Sequence, residues 1–316
     1  MADDYRFERI SPKLYPEFID LVRDSFNTET SLDEVRRLFD TRSFGFEHLG
    51  FLAFHSATGQ TAAFYGIFPC WVEIDGERIL AAQSGSTMTH PDHRRRNLFY
   101  LTGERTYELA RSEGIAFVYG MPNQLSYRGL IKLGWTHVDN AVRYRFFVPT
   151  LPLGLLGKHS RVLRKLHESL FSWVASYRKI RAYPIRSSAL EPGGGGSHRS
   201  EASLRYKPED RNHLMLRIGG VDVWINQDRG QLGIGDIDLD DASFDLRRLV
   251  RGIKFLAFLT GCSVVRTYMS PGCRLDREFR AAGYKGTEAL PNCVLSLSRD
   301  VRPERFKWVY ADYDTF

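Results

Sequence analysis

Cysteine is scarce in this chain: Cys70, Cys262, Cys273 and Cys293 are the only four in 316 residues. They lack both metal-ligand spacing and the density of a disulfide framework, so reduced thiols and no metal site are expected. Long apolar runs are missing as well, and none approaches the roughly 20 residues that span a bilayer. The opening Met1-Ala2-Asp3-Asp4-Tyr5-Arg6 is acidic and has no apolar core, unlike a secretory signal. No transmembrane segment is expected, and the cytoplasm is the expected compartment. No basic array interleaved with aromatics and no nucleic-acid motif is found, so nucleic acid is not an expected partner. What remains is an ordinary globular composition, 43% hydrophobic and 26% charged, long enough for two domains. The net charge of +6 favours anionic ligands.

The informative stretch runs from Gly85 to Trp135. Ser84 to Thr89 are small and β-capable, and Pro91 then ends the ladder because it has no N–H to donate. Arg94, Arg95, Arg96 and Asn97 form a basic turn. Leu98, Leu101, Arg105, Leu109 and Ala110 follow about one turn apart, the spacing of a helix. A helix N-terminus offers unpaired N–H groups and the positive end of its dipole. With three arginines added, this is a receptor for a phosphate or pyrophosphate; on charge alone a solvated basic turn is the alternative. Ile115 to Tyr119 then reads as a buried strand, and Pro122 and Asn123 open a second helix, capped near Asn123 and stopped at Gly134.

In this order the two motifs resemble the GNAT superfamily of acyl-CoA-dependent N-acyltransferases. The family's phosphate loop usually reads P-x-x-R-G-x-G-x-G/A, and Pro91, Arg94, Arg95, Arg96, Asn97, Leu98 and Phe99 fall on it in register. Its later segment usually reads N-x-x-A-x-x-L-Y-x-x-x-G-F, matched at Asn123, Ser126, Gly134 and Trp135. The resemblance extends over about residues 5 to 145 and implies acetyl-CoA or a longer acyl-CoA as co-substrate. It implies that the pantetheine arm lies along the strand Leu80 to Thr89 where that strand splays from Ile115 to Gly120. The implied cofactor-binding residues are Thr87, Met88, Thr89, Arg94, Arg95, Arg96, Asn97, Leu98, Phe99, Asn123 and Ser126, with an N–H near Gln83 to Ser86 facing the developing oxyanion.

The departures from the family pattern concern chemistry. Arg95, Asn97 and Phe99 stand where glycines are common. Leu130 stands where many members place the tyrosine that protonates the thiolate, and Ala81 where some place a basic glutamate. The remaining catalytic candidates are Glu73 on the preceding strand, His90 and His93 beside the loop, and Ser126 and Tyr127 on the second helix. For each, core packing, capping or solvation is the alternative.

Elsewhere, Tyr5 to Ile10 reads as a strand and Pro16 to Phe26 as a helix. Ser31 and Glu34 have capping-box spacing, and Gly50 to His55 and Thr61 to Glu73 read as strands, with Asp75-Gly76 as a hairpin turn. Leu151 to Ser188 is basic and amphipathic, with Lys158, Arg161, Arg164, Lys165, Arg178, Lys179 and Arg181 among leucines and Trp173. One or more helices are expected there, packed as a connector, set on an anionic membrane or gripping a nucleotide. Glu191 to His198, rich in glycine, reads as a flexible linker.

From about Arg205 strand, helix, strand and helix recur, so that Gly261 to Gly283 echoes Gly114 to Gly134. The expected fold is therefore α/β (α+β), with two GNAT-like mixed-sheet domains in tandem and the second degenerate. The expected boundaries are 1–150 for the acyl-CoA domain, 151–200 for the basic helix and linker, and 201–316 for the second domain. Asp236, Asp238, Asp240 and Asp241 replace the arginines there, a cluster expected to repel pyrophosphate. By analogy with an aminoglycoside-modifying branch, the aromatic, acidic tail Trp308 to Phe316 is a candidate to reach the active site.

The resulting expectation is an N-acyltransferase acting on a small-molecule amine, by preference a nucleotide-linked amino sugar, with a homodimer left open. Two alternatives stand beside it: a Fem-type aminoacyl transferase for cell-wall or lipid precursors, and a non-catalytic GNAT-derived binding protein.

Overall fold

The computed structural model describes residues 4–151, 153–157, 160–181, 183–206, 213–240, 244–298 and 301–314. In chain order the elements are β1 (Tyr5–Arg9), α1 (Tyr15–Phe26), α2 (Leu32–Phe39), β2 (Gly50–His55), β3 (Thr61–Ile74), β4 (Glu77–Thr89), α3 (Leu98–Ser112), β5 (Phe117–Gly120), α4 (Gln124–Lys132), β6 (Thr136–Phe147), α5 (Leu153–Leu156) and α6 (Arg161–Ser176). They continue with β7 (Gly195–Ser197), α7 (Glu201–Tyr206), β8 (His213–Ile218), β9 (Val221–Asp228), β10 (Gln231–Ile237), α8 (Leu246–Leu259), β11 (Val264–Met269), α9 (Arg274–Ala281) and β12 (Thr287–Ser296). The chain divides into two compact units. The first is Met1–Val72, Arg78–Val138 and Asn292–Glu304; the second is Glu73–Glu77, Asp139–Pro291 and Arg305–Phe316.

In the first unit, local chemistry sets the element ends. Ser31 Oγ accepts from the Glu34 N–H at 3.2 Å while the Glu34 carboxylate accepts from the Ser31 N–H at 2.7 Å, the reciprocal cap expected before α2. Backbone and hydroxyl donors from Ser31 lower the Glu34 pKa. β1, β2 and β3 pair antiparallel, and β4 runs parallel to β5. The strand on the far side of β5 is β12, antiparallel, with Cys293 opposite Gly120 and Ser296 opposite Phe117. One sheet face buries Tyr65, Ile67 and Val118 against Tyr107 of α3, Leu130 of α4 and Trp135. On the other face Phe64 meets Phe18 of α1 and Phe39 of α2 edge-on, with ring centroids 4.9 and 5.9 Å apart.

In the second unit β8, β9 and β10 form an antiparallel run, β10 is parallel to β11, and β11 is antiparallel to β6. The order β8-β9-β10-α8-β11-α9-β12 repeats β2-β3-β4-α3-β5-α4-β6. Leu246, Leu249, Val250, Ile253 and Leu256 of α8, at helical spacing, are buried in one core with Phe171 and Ala175 of α6.

Two features differ from the sequence reading, the unit boundaries and the glycine-rich run. The compact units part at Val138 and not at residue 150, and Asn292–Glu304 belongs with the N-terminal segments. Within 151–188 the expected helices are present as α5 and α6, and among the described residues none follows Ser176; Lys158 lies outside the described residues. The glycine-rich run does not act as a linker: Gly195–Ser197 is the buried strand β7. At Gly195 the requirement is close contact, since a Cβ there would lie 2.5 Å from the Phe306 ring, whereas Gly193 supplies a positive φ of +74°.

The C-terminal tail is built into the second unit. β10 and β11 pair only from Gln231 opposite Val264 to Gly233 opposite Arg266. Beyond that point the tail enters: Val309 bridges to Met269, the Ser270 N–H donates to the Trp308 carbonyl at 2.8 Å, and the rings of Tyr310 and Tyr268 lie 4.9 Å apart. The Arg199 guanidinium, buried, sits 2.9 Å from Asp236 and 2.7 Å from Asp312, locking the tail to β10. Burial alone would lower the Arg199 pKa, but Asp312 and Asp236 more than offset it, so the pKa is raised.

The described carboxylates of the expected cluster are therefore engaged within the chain, with Asp240 exposed. Asp236 is buried against Arg199 and Ser188, Asp238 accepts from the Asp240 N–H, and Asp240 pairs with Arg274. Asp241 lies outside the described residues. The chain's own tail, more than charge repulsion, fills this position. The described part of the tail thus serves the second unit's packing, and Thr315 and Phe316 lie outside the described residues.

Candidate active site

The parallel pairing of β4 with β5 consists of two residue pairs, Ala82 with Val118 and Gln83 with Tyr119. Past them Ser86 adopts a left-handed backbone, φ +54°, which an L-residue accepts only with strain and which turns a strand out of its ladder. The paired register of the two parallel strands ends at Gln83, and β5 itself ends at Gly120 beside Ser84, leaving Gly85 to Thr89 without β5 beside them. Thr87 Oγ1 in this stretch is buried without a hydrogen-bond partner among the described residues, Met88 is buried and Thr89 half-buried.

After Thr89 a tight turn over Pro91–His93 leads into the basic loop. Arg94 is extended, Arg95 is left-handed at φ +62°, and Asn97, left-handed at φ +64°, is the N-cap of α3. Arg94 to Asn97 are exposed, and Leu98 anchors the helix in the core. Left-handed residues alternating with right-handed or extended ones turn successive N–H groups toward one point, as in an anion-binding nest. Arg95 and Asn97 thus adopt the conformation for which the family pattern uses glycine. The α3 N-terminus has no side-chain cap and no acid in its first turn, whereas Ser31, Asn123, Ser160 and Asp245 cap α2, α4, α6 and α8. The orphan N–H groups and dipole of α3 are thereby left to an anion.

Beneath the loop, His93 is buried with Nδ1 2.8 Å from Tyr5 Oη and Nε2 2.9 Å from Gln60 Oε1. Burial lowers its pKa, with His55, His90 and Arg96 adding to the effect. His90 is buried too: its Nδ1 accepts from the Asp92 N–H at 3.2 Å, and its Nε2 lies 3.2 Å from Gln60 Nε2. The side chain of Gln60 therefore bridges both rings, and the two histidines shape the base of the loop.

On α4, Asn123 Oδ1 accepts from the N–H groups of Leu125 and Ser126 at 2.9 and 3.1 Å, so its oxygen serves as the expected cap. Ser126 Oγ reaches back to Asn123 O at 3.4 Å. Tyr127 Oη is bonded to His137 Nδ1 at 3.0 Å. Leu130, at the family's tyrosine position, is buried in the core. Glu73 belongs to the second unit, where its carboxylate is paired with the His198 ring. Arg94 to Phe99 share one loop and helix start, whereas the side chains of His90, Ser126 and Tyr127 are bonded to different partners.

A hydroxyl chain not found from sequence begins at the fork. Ser84 Oγ, on the first β4 residue past the last parallel pair, donates to Tyr65 Oη at 3.3 Å. Tyr65 Oη is 2.5 Å from Tyr107 Oη, which accepts from Trp135 Nε1 at 2.8 Å. Trp135 can only donate, which directs the Tyr107 proton toward Tyr65. Burial pushes the Tyr65 pKa up to about 12 and that of Tyr107 well above the usual value. A tyrosine in the alternating strand Ala63-Phe64-Tyr65-Gly66-Ile67 was the one available signal.

Residues 6–138 match the family model described as the acetyltransferase (GNAT) domain. They are a GNAT acetyltransferase domain. The match contains β4, the basic loop, α3, β5 and α4, and it ends at Val138, where the first unit's main segment ends.

Solved structures share the fold. A GCN5-related N-acetyltransferase from Kribbella flavida is 14% identical with a TM-score of 0.56, covering 93% of this chain and 72% of its own. A conserved protein from Enterococcus faecalis V583 is also 14% identical, with a TM-score of 0.60 over 93% and 72%. A GCN5-related N-acetyltransferase from Anabaena variabilis is 11% identical, with 0.54 over 93% and 73%. A search of the curated proteins finds no match.

Proposed function

We propose that the GNAT domain moves an acyl group from acetyl-CoA or a longer acyl-CoA to the amine of a small acceptor. The observation that carries the donor is the uncapped α3 N-terminus behind two left-handed loop residues, at the end of a strand that has parted from its parallel neighbour. Amides of Arg95 to Phe99, with the guanidinium groups of Arg94 and Arg96, would hold the diphosphate. Backbone groups of Thr87 to Thr89 would run beside the pantetheine, and an N–H near Gln83 to Ser86 would face the carbonyl oxygen.

Bound acyl-CoA supplies the activated thioester; the chain must orient the amine and move a proton. With Ala81 and Leu130 at the family's usual positions for base and acid, we assign the proton-handling position at the fork to Ser84, oriented by Tyr65 and Tyr107. The preferred acceptor is an amine on a nucleotide-linked sugar, supported by the net charge of +6. The second unit is read as a degenerate GNAT-like repeat that leaves CoA to the first, because its tail fills the equivalent fork.

Titration calorimetry with acetyl-CoA and with CoA tests the donor. Saturable binding, weakened at least tenfold by Arg94→Glu or Arg96→Glu, supports the proposal; no heat and no competition reject it. Leu130 and Ala81 favour a second reading, a GNAT-derived binding protein without turnover. Thiol release in the presence of any amine rejects that reading.

A further inference from the structure

Helix α6 carries two apolar stripes. His167, Phe171 and Ala175 face the second unit's core and are buried. Val162, Leu166 and Trp173 recur at i, i+4 and i+11 on the opposite side and are 67%, 60% and 61% exposed. Tyr177, 73% exposed, continues this stripe, its ring edge-on to Trp173 at 5.4 Å. Isolated exposed apolar residues are ordinary, but a helical stripe of them on the face away from the core indicates a docking surface.

Charge identifies what docks. From Ser160 to Arg181 the chain has six lysines and arginines and a single acid, Glu168. Arg164 and Lys165 on the helix, and Arg178 and Arg181 after it, are exposed around the stripe. A second copy of the chain would bring these same cations face to face. A nucleic acid would satisfy the cations and leave Val162 and Leu166 in water. An anionic bilayer surface takes both, with headgroups against the cations and the acyl boundary against the aliphatic and aromatic stripe. Trp173 and Tyr177 suit the level where an apolar ring body and a polar edge are both solvated.

We infer that α6 is a membrane-surface helix that seats the protein on anionic phospholipid. This does not depend on the acyl-transfer proposal, and the urea-denaturation midpoint serves as the control of folding.

The test is pelleting of the full chain with vesicles of phosphatidylcholine alone, or with one-third phosphatidylglycerol by design. Binding at least tenfold stronger to the anionic vesicles is expected, weakening with salt, with a blue shift of tryptophan emission that Trp173→Phe removes. The pair Leu166→Ser with Trp173→Ser, and separately Arg164→Glu with Lys165→Glu, should each reduce binding by about tenfold or more while circular dichroism and the cooperativity of urea denaturation stay unchanged. Because one pair alters apolar contact and the other only charge, a folding defect in either leaves the other to decide. Absence of pelleting with anionic vesicles at low salt, equal binding to both vesicle types, or binding unaffected by well-folded variants overturns the inference. So does a dimer in solution that Leu166→Ser with Trp173→Ser makes monomeric without vesicle binding by the wild type.

Discussion

The ring of Phe99 fills the space in front of Gly129: a Cβ built at Gly129 would lie 2.8 Å from Phe99 Cε1. The family pattern has a small residue at the first position and leucine at the second, and this chain has exchanged the sizes. Phe99 also lies edge-on to Tyr65 at 5.5 Å, so the exchange helps set the wall beside the hydroxyl chain. Gly129→Leu should destabilise the protein by about 1–3 kcal/mol, because overpacking outweighs the roughly 1 kcal/mol that a better helix former returns. Adding Phe99→Ala should recover part of the loss, with a coupling of about 0.5–3 kcal/mol in a urea-denaturation cycle.

The loop makes its own prediction at Asn97. Glycine accepts the left-handed conformation freely, so Asn97→Gly should keep CoA affinity. Asn97→Val should cost about 1–2 kcal/mol in holding the loop and weaken CoA binding by roughly tenfold in calorimetry.

Burial lowers the pKa of His93, and likewise of His48 and His167. A histidine with a depressed folded pKa favours the native state fully above its unfolded value, near 6.5, and loses that contribution as pH falls through the folded value. Denaturation midpoints should therefore be flat above about pH 7 and fall below about pH 6, by at most about 1.4 kcal/mol per pH unit for each histidine. His93→Gln should make the acid limb shallower.

Tyr65, with its pKa pushed up to about 12, keeps its proton at neutral pH and orients Ser84 without acting as a base. Tyr65→Phe and Ser84→Ala should each lower kcat at least tenfold while leaving the KM for acyl-CoA nearly unchanged. Tyr65→Phe should also lose about 1–3 kcal/mol of stability, since the Tyr107 hydroxyl is left without its acceptor. A fall in KM affinity of the same size as the fall in kcat would argue against this role.

Asp312 holds the tail through Arg199, which is buried between it and Asp236. Removing one partner of a buried pair leaves charge uncompensated, so Asp312→Ala should cost about 3–5 kcal/mol by urea denaturation.

Legibility in the sequence followed contact distance along the chain. The Ser31–Glu34 box, the Asn123 cap, the Asp75-Gly76 turn and the strand-loop-helix order around Arg94 to Leu98 could be read because each is settled by neighbours a few residues away. The Gly195–Ser197 strand could not, because its need for glycine comes from Phe306. Nor could the Tyr65–Tyr107–Trp135 chain or the Arg199–Asp312 clamp, where residues far apart in sequence meet only once the sheets exist. The expected base and acid were sought at positions fixed by motif, whereas the polar chain at the fork is assembled from three different elements.

The seat of β12 beside β5 has a consequence for biosynthesis. The strand that completes the GNAT domain's sheet leaves the ribosome only after residues 139–291 have been made, a wait on the order of ten seconds or more. Until then β5 is a bare edge on the nascent chain, open to mispairing.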